Sequence, residues 1–306
     1  MNRSFFVALA MTWIFFSLGP ICCADEAPTT TNRWLVILCS LSGDEEHERK
    51  LNQSVKQIVA SAEPVFSVPP TRLRVLVGSS ETASTIPDAK PCSRGSISDL
   101  FSELITKSDV DSEYLFFIIG HAHLDGKNSQ FNIDGPDIDQ FEYAKLVEKL
   151  PGKNQLHWIG LPASGFWIRP LSNPNRTIIT ATEPDLELTA TEMPYALGDI
   201  LSGTASHSKL EDIDGDGQVT LLDLYLAVNI EVHQRFVSEE YLPTEHAQLD
   251  DNGDGRGSEL QEPFLPRAEG DPPLRKSVRK VTDGDLARRF RIGVPAIVVP
   301  DSGAKD

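Results

Sequence analysis

The chain has 306 residues and carries 45 Asp and Glu against 28 Lys and Arg, a formal charge of −17. Such an excess of negative charge repels phosphate backbones and anionic lipid, which excludes nucleic acid and acidic membrane surfaces as partners. The length suffices to bury a substantial core, and four cysteines are too few for the disulfide framework of a small secreted domain.

After Arg3, the run Phe5 to Leu18 is apolar but shorter than the roughly 20 residues a bilayer-spanning helix needs, and the small Ala24 precedes the acidic Asp25. This predicts a signal peptide over 1–24 and an exported protein, periplasmic or secreted. Lipid attachment at Cys22 or Cys23 is the alternative, with Pro20 and Ile21 standing where small residues would be expected. Cleavage after Ala24 takes away one charged group, Arg3, moving the charge from −17 to −18, and leaves Cys39 and Cys92 to form at most one disulfide. No later segment is long and apolar enough to span a membrane.

Residues 25–205 alternate strand and helix. Trp34 to Cys39 is an apolar run closed by the polar turn Ser40 to Asp44, and Glu45 to Ala60 follows as a helix. Arg72 to Val77 is the second strand. Ile97, Leu100, Phe101 and Leu104 give the helix Ser98 to Lys107 one buried face. Tyr114 to Ile119 is apolar throughout, as the buried middle of a parallel sheet requires. A helix near Gln140 to Leu150, a strand Gln155 to Leu161, a short helix after Gly165 and a strand Thr177 to Ala181 complete the series. This order predicts an α/β fold, a parallel sheet with helices on both faces, whose function gathers at the carboxyl ends of its strands.

Those ends carry Gly120-His121-Ala122-His123-Leu124-Asp125-Gly126 and Leu161-Pro162-Ala163-Ser164-Gly165. With the opening Asn32-Arg-Trp-Leu-Val-Ile-Leu and its Gly43-Asp44 turn, they resemble the caspase-like fold and, within it, the legumain family of cysteine peptidases, over residues 32–203. The resemblance implies a caspase-like sandwich in which His121 matches the family's histidine. It also puts Pro162 where the nucleophilic cysteine belongs, and Ala122 where a glycine belongs. Thiolate chemistry needs a cysteine beside a histidine, and none occurs after His121. The resemblance therefore implies an inactive scaffold, or one that recognises a peptide or protein without cutting it. Ser164 is the substitute nucleophile an active alternative would need, although it lies two residues late and suits the first turn of the next helix. Cys39 is expected as an inert core thiol, and Cys92 precedes the histidine.

A rival reading takes His121, His123 and Asp125 as a His-x-His-x-Asp metal run, similar to the metallo-β-lactamase fold, which would make the chain a zinc hydrolase. The further histidine of that pattern is Gly126 here. His157, His207, His233 and His246 stand at no ligand spacing and are expected at the surface.

Residues 206–265 carry the motif whose spacing dictates a chemistry. Asp212-Ile-Asp-Gly-Asp-Gly-Gln-Val-Thr-Leu-Leu-Asp223 supplies oxygen ligands at loop positions 1, 3, 5, 9 and 12 from Asp212, Asp214, Asp216, Thr220 and Asp223. The carbonyl of Gln218 serves position 7, Gly217 makes the turn, and Val219 is the apolar residue that ties such a loop to its partner. Hard oxygen donors select Ca²⁺. The shorter Asp223 in place of Glu reaches the ion with one oxygen or makes a smaller site tolerant of Mg²⁺. A second, poorer loop starts 38 residues later at Asp250, with Asn252, Asp254, Gly255 and Ser258 in place, Gly257 at position 8, Gln261 at position 12 and Glu262 one place late. Two adjacent EF-hands are expected, with Leu221 to Gln234 as the helix between them, presenting Leu222, Leu226, Ile230 and His233 at helical spacing. Residues 266–306 are Pro-rich and basic, with Arg275, Lys276, Arg279, Lys280, Arg288, Arg289 and Arg291. They are expected as a tail folding back onto the acidic body rather than a partner-binding arm. Val294 to Val299 is a candidate edge strand for this chain or another.

Overall fold

The computed structural model describes residues 32–152, 154–184, 187–259, 264 and 283–295. The expected signal peptide, Glu262 and the greater part of the basic tail lie outside them. In chain order the elements are β1 (Arg33–Cys39), α1 (Glu45–Ser61), β2 (Leu73–Val77), α2 (Ser80–Ala83), α3 (Arg94–Lys107), β3 (Glu113–Ile119), β4 (Ala122–Asp125), β5 (Asn128–Phe131) and β6 (Ile138–Asp139). They continue with α4 (Gln140–Val147), β7 (Gln155–Gly160), α5 (Ile168–Leu171), β8 (Arg176–Thr180), α6 (Met193–Ser202), α7 (Leu221–Ser238) and β9 (Gln248–Asp250).

Six strands form the central sheet in the order β2-β1-β3-β7-β8-β9, the first five parallel. Successive side chains of a strand point to opposite faces, and the two cores divide accordingly. Leu35, Ile37, Cys39, Leu115, Phe117 and Ile119 enter one core with α1, α6 and α7. Trp34, Val36, Leu38, Tyr114, Phe116 and Ile118 enter the other with α3, α4 and α5. The result is a mixed α/β structure whose mostly parallel sheet is flanked by helices on both faces. The helix starts follow local chemistry: Asp44, Ser79, Ser93 and Asp139 each accept a backbone N–H at an N-terminus.

Four features depart from the expected pattern. Residues 122–139 form a second, antiparallel sheet, β4-β5-β6, hidden in the sequence because its strands bury few side chains. The sheet is not wholly parallel, since β9 pairs antiparallel with β8. That strand comes from the segment expected as a separate helical region, and Leu221, Leu222, Leu224, Tyr225 and Val228 of α7 join the same core as the sheet. The expected boundary at residue 205 therefore does not divide two cores. The helix predicted over 221–234 forms and extends to Ser238, but Ile230, expected on its buried face, is 40% exposed.

Gly120 holds φ at +117°, and a Cβ there would meet Ser40 Oγ at 2.1 Å. That hydroxyl also accepts the backbone N–H of His121 at 2.6 Å. Gly120→Ala is expected to cost about 1–3 kcal/mol from backbone strain at such a position; chemical denaturation giving wild-type stability would show that the tight crossing is not needed. Glu245 accepts the backbone N–H of Glu192 and Met193 at the start of α6, at 2.6 and 3.0 Å. Burial, with Glu192 and Glu187 adding to it, pushes its carboxyl up to about 8. The folded state thus keeps a proton that the unfolded chain releases near 4.5. This group's stabilisation is complete at acid pH and is lost as pH rises from about 4.5 to 8. Glu245→Gln should flatten the fall in melting temperature across that window, and an unchanged profile would refute the assignment.

Candidate functional site

The strand order reverses between β1 and β3, the first leading to β2 on one side and the second to β7 on the other. At that point, outside the carboxyl ends, open α/β sheets place their ligand crevices. Ser40 N donates to Ile119 O at 3.0 Å, and Ile119 registers against Gly160 of β7. His121 and Pro162 each follow that pair by two residues, so both emerge from the same sheet edge on adjacent strands. The His121 ring packs edge-on to His47 with centroids 5.3 Å apart, and its Nε2 is buried without a hydrogen-bond partner. Burial lowers its pKa and His47 lowers it further against an opposing pull from Asp44, so the ring is neutral at neutral pH. Beside it, a cavity of about 410 Å³ is lined by Ser40, Asp44, Glu48, Asn52, Ser79 and Thr82.

The neighbouring turn keeps a strained geometry but holds no nucleophile. Ala163 takes the left-handed conformation with φ +53°, and Pro162 before it has no reactive group. Ser164 is fully buried and opens a short 3₁₀ turn, Ser164–Trp167, as the expected helix-start role implies. Its Oγ accepts Thr182 N at 3.1 Å and lies 3.3 Å from Thr182 Oγ1. The adjacent Gly165 is required sterically, since a Cβ would stand 2.2 Å from Glu183 C. Ser164 is therefore a sealed packing hydroxyl and not the accessible nucleophile an active peptidase would need. The thiols offer no substitute. Cys39 and Cys92 are free and buried, and burial, aided by Glu48, pushes Cys39 up to about 12.

The zinc reading fails on geometry. His123 is on β4 with its side chain 54% exposed, its Nδ1 2.8 Å from Asn132 Oδ1 and 3.8 Å from Asp137 Oδ2. Among the described residues, metal-ligating side chains converge within 4.8 Å as Glu183, Glu187 and His246, and as Asp212, Asp214 and Asp216; His121, His123 and Asp125 form no such group. The first cluster contains an ion pair, Glu187 with His246 Nδ1. His157, expected at the surface, is fully buried in the core, stacked 5.1 Å from Phe116 and held between Tyr143 Oη and Gln155 Oε1, each at 3.2 Å. Its burial keeps it neutral, with a pKa well below the usual histidine range.

The second cluster is the predicted loop. Gly215 and Gly217 turn it with φ of +74° and +87°. Asp212 Oδ1 and Oδ2 accept the N–H of Asp216 and Gly217 at 3.0 and 2.8 Å, and Asp214 Oδ1 accepts that of Asp216 at 3.1 Å. The Asp214 side chain is wholly buried, and its Oδ2 has no hydrogen-bond partner. Gln218 N donates to Asp216 Oδ1 at 2.8 Å. Asp223, expected to converge with the others, is bound within the loop instead. Its Oδ1 accepts Ile213 N at 2.7 Å, and its Oδ2 accepts Thr220 N and Thr220 Oγ1, both at 2.8 Å. This is the N3 role of a capping box on α7, so the two residues expected as ligands at positions 9 and 12 are bonded to each other.

The second loop is entered by strand β9 rather than by a helix, and no helix leads directly into the first, since α6 ends at Ser202. The helix-loop-helix framing expected on the entering side of each loop is thus absent. Asp250 is 1% exposed and accepts Gly253 N at 3.1 Å, Asn252 Oδ1 accepts Asp254 N at 2.8 Å, and Asp254 Oδ1 accepts Arg256 N at 2.9 Å. The organising residue is one the motif passes over. Asp251 accepts the N–H groups of Gly284, Leu286 and Ala287 at 2.9, 2.7 and 2.8 Å. Asp283 in turn accepts Asp251 N at 3.2 Å and Ser258 Oγ at 2.5 Å, and its burial pushes its carboxyl up to about 7. The described part of the tail thus folds back onto the acidic body. Val219, the residue meant to tie the two loops together, accepts Ile292 N at 3.1 Å instead. An isolated antiparallel bridge joins Thr220 and Arg291, while Val294 is exposed and belongs to no strand.

No family model and no curated protein matches the sequence. Among solved structures, the chain is similar to protein GSU0716 from Geobacter sulfurreducens at 9% identity and a TM-score of 0.42, covering 77% of this chain and 97% of that one. It is also similar to the Drosophila initiator caspase Dronc at 12% identity and a TM-score of 0.39, covering 78% and 87% respectively.

Proposed function

We propose that the chain is an exported calcium-binding protein on a caspase-like scaffold without peptidase activity. The observation that carries the calcium reading is the convergence of Asp212, Asp214 and Asp216 within 4.8 Å, with the Asp214 side chain wholly buried and Arg288, among the described residues, as the one cation paired with it. Three carboxylates at that spacing repel one another, and a hard divalent cation relieves the repulsion through oxygen donors alone. A ligand that binds only the folded state stabilises it by about 2.7 kcal/mol at a hundred times its dissociation constant. Export rests on the N-terminal pattern of residues 1–24, and extracellular calcium suits a site of modest affinity.

The peptidase half of the proposal rests on chemistry. His121 is at the expected sheet edge, but proline stands at 162 and Ser164 is fully buried. General base catalysis alone contributes only about 10²- to 10⁴-fold.

Titration calorimetry should record calcium binding by the purified chain, with Asp212→Ala weakening it at least roughly tenfold, or about 1.4 kcal/mol. Equal heats for the two proteins would remove the site. Peptides cleavable after asparagine or aspartate should remain intact in the presence of the chain. Turnover abolished by His121→Ala would overturn the inactive reading.

A further inference from the structure

Residues 283–292 run across both acidic loops. On the second loop their N-terminal end is held by the three N–H groups donated to Asp251. On the first, Phe290 O accepts Leu221 N at 2.9 Å and Ile292 N donates to Val219 O at 3.1 Å. Between these anchors the Arg288 Nε lies 2.8 Å from Asp214 Oδ2 and 3.0 Å from Asp216 Oδ2, two of the three converging carboxylates. Although so close, Arg288 Nε and Asp214 Oδ2 make no aligned hydrogen bond. Charge rather than a directed bond holds the contact. The Arg288 side chain is 38% exposed, whereas the Asp214 side chain is fully buried and cannot follow it.

A calcium ion sits about 2.3–2.6 Å from its oxygen ligands. An ion on Asp214 Oδ2 and Asp216 Oδ2 would therefore stand within roughly 5–6 Å of Arg288 Nε if the side chain stayed in place. Two cations on the same pair of oxygens repel each other. The backbone anchors of the segment do not use the Arg288 side chain, so it can leave while the strap remains attached.

We propose that Arg288 is the internal counter-cation of the 212–223 loop in its metal-free state and exchanges with a divalent metal ion for Asp214 and Asp216. This rests on the calcium reading of the same loop. Arg288 then lowers the loop's affinity for calcium while protecting the fold when calcium is scarce, and metal binding frees a guanidinium on the strap.

The experiment compares calcium chloride titrations of the full chain, Arg288→Gln and Arg289→Gln at one ionic strength. The last removes the same charge from an exposed neighbour that makes no contact with either aspartate. Arg288→Gln should bind calcium roughly tenfold tighter than wild type, within the usual range of coupling between two sites, and melt lower than wild type in chelator. Arg289→Gln should match wild type in both. Calcium affinity that is unchanged or weaker in Arg288→Gln, or tightened equally in Arg289→Gln, overturns the exchange while leaving the calcium reading intact. Absence of calcium binding in all three proteins sinks both. The Arg288 Nε–H resonance of the wild-type chain gives a readout that does not depend on a variant folding. It should shift as calcium is added, and a resonance unmoved at saturation overturns the proposal.

Discussion

A parallel sheet leaves no face for water, and in this chain that requirement falls on β1 and β3. Alternate residues of each strand pass into separate cores, Leu35, Ile37, Phe117 and Ile119 to one side and Val36, Leu38, Phe116 and Ile118 to the other. Each core must then be roofed by helices, which sets where α1, α3, α4, α6 and α7 pack. The same pair of strands forms the switch point of the sheet, so the burial that stabilises the fold also determines where a crevice opens. Ser40 and Gly120 meet there at a spacing that leaves no room for a Cβ.

The sheet edge outside β3 and β7 carries a histidine and a strained turn, yet its chemistry stops short of a nucleophile. His121 is desolvated and neutral with a free Nε2, Ala163 holds a positive φ, and proline occupies the place between the strand end and that turn. Ser164 spends its hydroxyl on Thr182. Burial, which could have sharpened a reactive group, has instead been used to seal the turn.

Negative charge governs the other side of the molecule. The two acidic loops join the same core and sheet as the rest of the chain through α7 and β9, and residues 283–292 bind them together. Asp251 fastens that segment by backbone N–H groups, and Arg288 brings positive charge to Asp214 and Asp216. A chain with a formal charge of −17 gains from keeping a few of its cations tethered where its carboxylates crowd, because mobile counter-ions are lost on dilution and a covalently attached one is not.

The sequence determined what depends on local pattern. The apolar runs at 34–39 and 114–119 announced buried strands because a two-sided core admits few polar residues. The helix from Glu45 is local in origin too, capped by Asp44 and burying Leu51, Val55 and Ile58 at helical spacing, and the Asp-x-Asp-x-Asp-Gly spacing at 212–217 brought its carboxylates together through its own turns. Tertiary structure alone decided what depends on distant partners. The β4-β5-β6 sheet has too few buried residues to leave a periodic trace. Strand β9 is three residues long and exists because β8 offers it an edge. His157 is interior because its neighbours bury it, and Ser164 is inert because Thr182 reaches it. Asp223 fits the spacing of a ligand, yet its oxygens go to Thr220, Ile213 and Asp214. Arg288 is one basic residue among many in the tail, and its role comes from the turn at Gly284 to Ala287 that Asp251 holds across the loops.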